Sequence, residues 1–419
     1  CASSTFLLLA ASISITSTGV EFVISIQLSH LPQGFTVGPF LQFKDLAKIL
    51  ALEVLPVPLG PVNKYACAIL FNSIALVKAF LICSWPTTSS KVCGLYFLYS
   101  GTYFSFMLIL YRKRFEICVI MNLIKPKKLK TGDTIGIVAT SGNLKSEDAL
   151  KKSILYFENK GFKVVLAENL YDKKRYLAGS DDVKIEQLHK MFSDKNIDAI
   201  FCMRGGYGAI RLINKIDYDL IRNNPKIFIG YSDITALSAM FLKKAGLITF
   251  SGPMCLGDFG SDEGDIETFE NCFDVLMNGK ALEYSPFEKG LSNNKNANGI
   301  TFGGNLSTVV SLCGIDFIPD EDFIFFIEDL NEPVYKIDKM LAQLSNISKF
   351  RQNIKGLILG EFLDVENKDE LKEVFEEFVS NLDIAVLGDF RITHNKKKIT
   401  VPYGAKSEIK DGKFIIYNN

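Results

Sequence analysis

The sequence predicts an α/β protein with a mostly parallel sheet in its first domain and a smaller, mixed α/β domain after it. Two observations carry this prediction. Short apolar runs typical of buried parallel strands alternate with amphipathic helical stretches after residue 121. From about residue 285 the regular alternation of apolar runs and helical stretches stops. An asparagine-rich polar stretch at 289–297 is typical of a linker. The predicted division is therefore 1–120, 121–288 and 298–419.

Residues 1–120 differ in composition from the rest of the chain. They hold eight Lys and Arg and four Asp and Glu, whereas residues 121–419 hold 39 and 43. Gly94 to Tyr111 is apolar over about the length of a membrane span, and the basic residues 112–114 follow it. Two interpretations stay open, a membrane anchor or an extension upstream of a natural start at Met121. We favour the extension, which places residues 1–120 outside the mature protein and predicts no membrane contact for 121–419.

Charge and cysteine usage exclude several classes of protein. The formal net charge is zero, which gives no electrostatic argument for a nucleic-acid partner. The nine cysteines are scattered, without a C-x-x-C pair or a histidine at zinc spacing. We therefore expect neither a disulfide framework nor a structural metal site, and the cysteine pattern favours a reducing compartment.

The elements of the first predicted domain follow a strand–helix order. The predicted strands are 134–139, 162–166, 199–203 and 227–230. The predicted helices open at 146–148, run over 183–192, start again at 209 and run over 235–244. Because parallel strands end at the same edge of a sheet, functional residues are expected at their carboxyl ends.

The second predicted domain opens with a glycine-containing segment at 301–306. A strand at 323–328, a helix at 334–344, a strand at 356–359 and a charged helix around 368–379 follow it. Segments with β character complete the chain. This order is typical of a smaller α/β or mixed domain.

The turn Gly230-Tyr-Ser-Asp233 joins a predicted strand to a predicted helix. It presents Ser232 at the carboxyl end of the strand, where the dipole and free N–H groups of the next helix favour negative charge. Esterases and peptidases present a nucleophilic serine in this way. The second glycine of G-x-S-x-G is missing here, so a serine that only caps the helix is the alternative.

A glycine loop, Arg204-Gly-Gly-Tyr-Gly208, follows the strand before this turn. Glycines at a strand–helix junction let backbone N–H groups approach an anion, either a phosphate or the oxyanion of a tetrahedral intermediate. If Ser232 is a nucleophile, one oxyanion donor should be the Asp233 N–H and the other should come from this loop. A nucleotide site is the alternative, although the loop lacks the G-x-G-x-x-G spacing and a P-loop lysine.

A serine nucleophile needs a base, and the chain offers only three histidines. His30 lies in the apolar segment, and His189 is predicted to lie on the solvated face of a helix. His394 lies in a loop, where functional residues concentrate, and is the candidate base by elimination. A surface histidine beside Lys396-Lys-Lys398 is the alternative.

An orienting carboxylate is expected at a strand end as well. Three acids follow the apolar strand at 323–327, namely Glu328, Asp329 and Glu332. Glu328 is favoured because it is the first residue past the strand. Each of the three could instead cap the helix that follows Pro333.

Taken together and in order, these segments resemble the LD-carboxypeptidase family of serine peptidases. That family also holds the self-immunity proteins that hydrolyse microcin C-type peptide-nucleotides. The resemblance covers roughly 300 residues from Met121 to the end. It rests on the segments 130–139, 204–208, 230–233, 249–253, 303–306, 328–329 and 401–404.

The resemblance implies a catalytic triad of Ser232, Glu328 and His394. It implies an oxyanion hole made by backbone amides, of which those of Gly206 and Asp233 are the candidates. It further implies a Rossmann-like N-terminal domain, a separate C-terminal domain carrying the acid and the histidine, a homodimer, and no cofactor or metal. The family usually has glycine before the histidine where this chain has Thr393, and the loop before His394 is about one residue longer.

The implied reaction is hydrolysis of the L,D-peptide bond that releases the terminal D-alanine of murein tetrapeptide, in the cytoplasm during cell-wall recycling. A basic group should hold the free carboxylate of the substrate, and Arg204 is the candidate, with Tyr207 as a second substrate-binding residue. One rival is a related hydrolase of a microcin-like peptide-nucleotide amide. The rival of another class is a non-catalytic α/β protein that binds a phosphate or nucleotide through the glycine loop.

Overall fold

The computed structural model describes residues 123–418 and, before them, the backbone of four strands. The chain divides into two compact units, Cys1–Ile120 and Met121–Asn419. The strands of the first unit are β1 (Leu8–Ile15), β2 (Phe22–Gln27), β3 (Phe80–Ser84) and β4 (Val92–Tyr96). They pair antiparallel in the order β2-β1-β4-β3.

The apolar span predicted at 94–111 overlaps β4 at residues 94–96, and residues 97–111 lie outside the described part of the chain. Among the described residues, no helix is both long enough and apolar enough to cross a bilayer. The choice between an anchor and an upstream extension stays a prediction.

The second unit alternates strands and helices along most of its length. Its strands are β5 (Thr134–Val138), β6 (Lys163–Leu166), β7 (Ala199–Cys202), β8 (Ile227–Ile229), β9 (Thr249–Ser251), β10 (Leu282–Tyr284), β11 (Ala297–Asn305), β12 (Phe323–Leu330), β13 (Ile354–Leu363), β14 (Ala385–Leu387), β15 (Val401–Tyr403), β16 (Lys406–Lys410) and β17 (Lys413–Ile416). Its α-helices are α1 (Glu147–Asn159), α2 (Asp181–Ser193), α3 (Tyr218–Asn223), α4 (Thr235–Met240), α5 (Ile266–Asn278), α6 (Leu306–Ser311), α7 (Val334–Ser345), α8 (Ser348–Asn353) and α9 (Lys368–Leu382). Short 3₁₀ turns lie at Glu168–Tyr171, Ala209–Arg211 and Ser232–Ile234, and π-helical turns at Phe241–Ala245 and Cys255–Phe259.

The first sheet of this unit has six strands in the order β15-β9-β8-β7-β5-β6. The pairs from β9 to β6 are all parallel, and only β15 runs antiparallel to its neighbour β9. Strands β5, β7 and β8 are fully buried, as expected for parallel strands covered by helices on both faces. The helices begin where the sequence supplies caps. Ser146, for example, accepts a hydrogen bond from the Ala149 N–H at the start of α1.

The second sheet has seven strands in the order β10-β17-β16-β11-β12-β13-β14. Strands β11 to β14 are parallel, whereas β10, β17 and β16 pair antiparallel. The predicted fold class, an α/β protein with a mostly parallel first sheet and a mixed second sheet, is confirmed.

The chain passes between the two sheets more than once. Strand β10 precedes the predicted linker, yet it pairs with β17 of the second sheet. Strand β15 follows most of the second sheet, yet Val401 pairs with Ser251 of β9 in the first. The predicted boundaries at 288 and 298 stay predictions. What the topology shows is that the segment after His394 becomes an edge strand of the first sheet.

Two predicted helices differ from the observed ones. The helix expected from Ala209 is a single 3₁₀ turn, and the next α-helix begins only after Asp217, whose carboxylate accepts from two backbone N–H groups there. The helix expected over 235–244 is α-helical only to Met240 and then widens into a π-helical turn that ends at Gly246 in the left-handed conformation.

Gly303 gives a test of the second sheet. A Cβ on Gly303 would lie 1.9 Å from the carbonyl oxygen of its β12 partner Phe326, and its φ of +142° is one that L residues rarely adopt. We expect Gly303→Ala to lower the free energy of unfolding by about 3 kcal/mol or more, since neither backbone can move freely. Gly412→Ala is the matched control because φ there is +71° but nothing lies within 4 Å. It should cost only about 1–2 kcal/mol of left-handed strain. Urea unfolding of the full chain measures both, and equal costs would contradict the clash.

Candidate active site

Ser232 follows β8 in a left-handed backbone conformation, with φ of +62°. Residues other than glycine adopt this conformation uncommonly, and serine is not among the types enriched in it, so the strain at Ser232 favours a functional role. Ser232 opens the 3₁₀ turn that leads directly into α4. Gly230 lets the turn pack closely, because a Cβ there would lie 3.0 Å from the Ile234 side chain and 3.1 Å from Cys202. The predicted strand–turn–helix junction is therefore present.

The glycine loop after β7 passes directly beside Ser232. A Cβ on Gly205 would lie 3.1 Å from the Cβ of Ser232 and 3.2 Å from its hydroxyl oxygen. Asp233 ties the loop to the serine turn, because its buried carboxylate accepts a hydrogen bond from the Ala209 N–H at 2.9 Å. Burial raises the pKa of Asp233, and the Ala209 bond and the nearby Lys184 ammonium offset part of that rise. The acid beside the serine is thus used to position the loop.

Glu328 and His394 form a direct hydrogen bond. Glu328 lies on β12, its side chain is buried, and its Oε2 lies 2.6 Å from Nδ1 of His394. The other carboxylate oxygen accepts from Nδ2 of Asn305 at 3.3 Å. When Nδ1 carries the proton, the imidazole donates to Glu328 and Nε2 is left as an acceptor. The carboxylate can therefore hold both the orientation and the tautomer of the ring.

The other two acids of this strand end make different contacts. Asp329 is buried and accepts from the backbone N–H groups of Ser307 at 2.8 Å and Leu330 at 2.9 Å, as well as from Asn305. Burial is the main cause that raises the pKa of Asp329, and these bonds oppose it. Glu332 lies 3.4 Å from the Lys336 ammonium. Of the three candidate acids, Glu328 is the one that contacts the histidine.

Tyr231 connects the histidine to the serine turn. Its ring lies edge-on to the His394 ring with centroids 5.1 Å apart, and Tyr231 directly precedes Ser232. Within residues 123–418, no hydrogen bond joins the Ser232 hydroxyl to His394. The structure thus brings Glu328 to His394, the glycine loop to Ser232, and His394 to the residue before Ser232.

Comparisons with known proteins identify the family. Residues 135–252 match the LD-carboxypeptidase N-terminal domain, and residues 298–409 match the LD-carboxypeptidase C-terminal domain. The chain is 36% identical over 292 residues to a probable murein peptide carboxypeptidase of Bacillus subtilis, covering 68% of this chain and 90% of that protein. The chain belongs to the LD-carboxypeptidase family. The family that the sequence resembles is confirmed.

Two further relatives show the breadth of this LD-carboxypeptidase family. The chain is 28% identical over 315 residues to the microcin C7 self-immunity protein MccF of Escherichia coli, covering 67% of this chain and 91% of that protein. It also resembles the crystal structure of an MccF-like protein from Bacillus anthracis, with a TM-score of 0.66 and 27% identity over 71% of this chain and all of that one.

The two predicted substrate-binding residues, Arg204 and Tyr207, both belong to the glycine loop. Arg204 is half-buried, and its guanidinium donates to the carbonyl oxygen of Asn143 at 3.3 Å. Burial lowers its pKa, and no acid in the described part of the chain forms an ion pair with it. Tyr207 is 46% exposed, and its ring meets that of Tyr176 edge-on at 5.6 Å.

Two side chains, His189 and Lys398, are less exposed than the sequence predicts. His189 is partly buried rather than solvated, and its Nε2 accepts from the Asp217 N–H at 3.0 Å. Lys398, placed by the sequence in a basic surface loop, is buried against Asp258. The run of three lysines at 396–398 contains no signal that separates the buried one. His30 lies outside the described residues, and within 123–418 no group of His, Cys, Asp and Glu is placed to hold a metal.

Asp329 and Glu332 give a test of how the acids divide their roles. Asp329→Ala removes the carboxylate that accepts from the backbone N–H groups of Ser307 and Leu330 and leaves the side-chain N–H groups of Asn305 with Glu328 alone among the described residues, so we expect the free energy of unfolding to fall by about 3 kcal/mol. Glu332→Ala removes a single ion pair with the half-exposed Lys336 and, within the described part of the chain, no hydrogen bond to Oε2, so it should cost about 0–1 kcal/mol. Chemical denaturation followed by circular dichroism measures both variants. A Glu332→Ala protein less stable than Asp329→Ala would contradict this division.

Proposed function

We propose that this protein is a serine LD-carboxypeptidase that releases the terminal D-alanine of murein tetrapeptide. The observation that carries the proposal is the 2.6 Å hydrogen bond between Glu328 and His394, with the His394 ring packed beside the Ser232 turn. Similarity to a probable murein peptide carboxypeptidase supports the substrate class. The proposal places this activity in cytoplasmic cell-wall recycling by a homodimer, as the family resemblance implies.

The proposed mechanism is acyl transfer through Ser232. His394 takes the hydroxyl proton at Nε2 while Ser232 Oγ attacks the carbonyl carbon of the L,D-peptide bond. Glu328 holds the imidazole in the tautomer that leaves Nε2 free and stabilises the imidazolium that forms. The C–N bond then breaks, D-alanine leaves with the proton from His394, and water hydrolyses the acyl-enzyme by the same route.

Backbone amides of Gly206 and Asp233 are proposed to stabilise the oxyanion. The close approach of the glycine loop to Ser232 at Gly205 supports this assignment, and so does the bond from Ala209 to the Asp233 carboxylate, which fixes the loop. Donors that are already in place cost no reorganisation when charge develops. Both amides belong to segments that the Asp233 side chain holds together.

Arg204 and Tyr207 are proposed to bind the substrate. Arg204 has no acidic partner among the described residues, and it directly precedes Gly205, the glycine that lies against Ser232. A guanidinium fits a carboxylate through two parallel hydrogen bonds, which is the recognition that a carboxypeptidase needs. The exposed Tyr207 ring at the edge of the loop offers an apolar contact to the peptide.

The alternative hydrolase function has one observation in its favour. The exposed ring pair of Tyr176 and Tyr207 is a surface on which a nucleobase could stack, as a microcin-like peptide-nucleotide would require.

The non-catalytic phosphate-binding alternative predicts that Glu328 and His394 lie apart from the serine turn. Their pairing beside Tyr231 argues against it.

Ser232→Ala tests the nucleophile. Removing the hydroxyl leaves nothing to form the acyl-enzyme, so we expect the rate of D-alanine release from murein tetrapeptide to fall by about 10⁴-fold or more. Ser193→Ala, at an exposed position at the end of α2, should leave the rate unchanged. Full activity in Ser232→Ala would overturn the assignment. A peptide-nucleotide amide assayed in parallel decides between the two substrates, because the preferred one should be cut with the higher kcat/KM.

Glu328→Gln tests the orienting acid. An amide can offer N–H to Nδ1 and so favour the wrong tautomer of His394, and we expect kcat to fall about 10³–10⁴-fold. KM should change little because Glu328 is buried away from solvent. Glu332→Gln carries the same change on the same strand end and should keep wild-type kinetics. A kcat equal to that of the wild type would exclude Glu328 as the acid of the triad.

A further inference from the structure

Lys398 and Asp258 form a buried ion pair behind the candidate site. Their side chains are 3% and 2% exposed, and Nζ of Lys398 lies 2.5 Å from Oδ1 of Asp258. The second oxygen of Asp258 accepts from the Met254 N–H at 2.8 Å. An apolar pair of similar volume is often as stable as a buried ion pair, so stability alone is a weak explanation for charges at this place.

The Lys398 ammonium also contacts Tyr231. It donates to the Tyr231 hydroxyl at 2.9 Å and lies 4.0 Å from the centroid of the ring. The Tyr231 ring also meets the His394 ring edge-on, with centroids 5.1 Å apart. An unbroken series of contacts therefore runs from Asp258 through Lys398 and Tyr231 to His394.

Lys398 occupies a particular place in the chain, because it follows His394 by four residues on the loop that returns to the first sheet. Its own N–H donates to Oγ1 of Thr268 on α5 at 2.8 Å, and the N–H of Thr400 donates to Asn271 of the same helix at 2.8 Å. The histidine loop is thus bound to α5, a helix that follows β9 of the first sheet, just after the histidine itself.

We propose that Lys398 is a positioning residue that aligns His394 with Ser232 through Tyr231. Glu328 orients the imidazole from the second sheet, but Ser232 belongs to the first, so a contact from the histidine loop to the serine turn must set their separation. The Lys398 ammonium makes that contact, and Asp258 holds it in place. The inference rests on the proposed function in that it requires a serine–histidine reaction, whatever the peptide.

The adjacent lysine provides a matched control. Lys397 carries the same charge on the same loop, but its side chain is 40% exposed and pairs with Glu267 at the surface. In the full chain, Lys398→Met therefore removes a charge that belongs to the series of contacts. Lys397→Met removes an equal charge that lies outside it.

The experiment measures how fast a fluorophosphonate labels Ser232, together with kcat and KM for D-alanine release. In the labelling step Ser232 Oγ displaces fluoride from phosphorus while His394 takes the hydroxyl proton, so its rate reports their alignment without the natural substrate. We expect Lys398→Met to lower both kcat and the labelling rate by about 10–100-fold, the cost typical of a displacement near 1 Å, with KM unchanged. Lys397→Met should change none of them.

Two further variants separate positioning from folding. Asp258→Asn combined with Lys398→Met leaves no lone buried charge, and it should fold with a melting temperature near that of the wild type while still labelling slowly. Tyr231→Phe combined with Lys398→Met should label no more slowly than Lys398→Met alone, because the lysine acts through the tyrosine.

The outcomes that overturn the inference are distinct from those that overturn the proposed function. Wild-type labelling in Lys398→Met, recovery of the rate in the charge-free double variant, or additive losses with Tyr231→Phe would each exclude the positioning role. Lysine-dependent labelling without D-alanine release would support that role and remove only the proposed substrate. A wild-type protein that is not labelled at Ser232 and releases no D-alanine would overturn both.

Discussion

The candidate site depends on one constraint, which is that its parts come from two different sheets. Ser232 follows β8 of the first sheet, whereas Glu328 lies on β12 of the second. The chain meets this constraint by returning to the first sheet as β15, paired with β9, directly after the histidine loop. The residues that follow β15 are held by the second sheet, because the Thr301 hydroxyl of β11 accepts from the N–H groups of Gly404 at 3.0 Å and Ala405 at 3.1 Å. The return strand is therefore held by both sheets, and the histidine between them has little freedom.

Local chemistry explains why much of the fold and the centre of the site could be predicted from sequence. A short apolar run followed by Gly230-Tyr-Ser-Asp233 predicts a strand, a sharp turn and a helix, because a glycine at the turn leaves room for close packing. An acid that ends an apolar parallel strand lies where the carboxyl ends of the strands meet, whatever the sheet packs against. The scarcity of histidine then singled out His394. These inferences needed only neighbours in the chain, and the contact between Glu328 and His394 agrees with them.

What could not be predicted depends on contacts between distant segments. Positions 396, 397 and 398 are all lysine, so the sequence does not distinguish them. Only the packing of their loop on α5 buries Lys398. The solvated role expected for His189 fails because the segment before α3 folds back and donates a backbone N–H to it. The pairing of β10 and β15 with sheets on the far side of the predicted linker has no local signal either. Register between segments more than a hundred residues apart is a property of the whole fold.

The buried acids show how such a site stays ordered. Asp233, Glu328 and Asp329 are all buried, and a buried carboxylate is costly unless hydrogen bonds satisfy it. Two of them use backbone N–H groups, so Asp233 fixes the glycine loop and Asp329 fixes the start of α6. Glu328 alone directs its charge at an ionisable ring. The same chemical group thus fixes backbone segments at two positions and orients His394 at the third. Because these hydrogen bonds lie within the protein itself, the glycine loop and the start of α6 are held in place without a ligand.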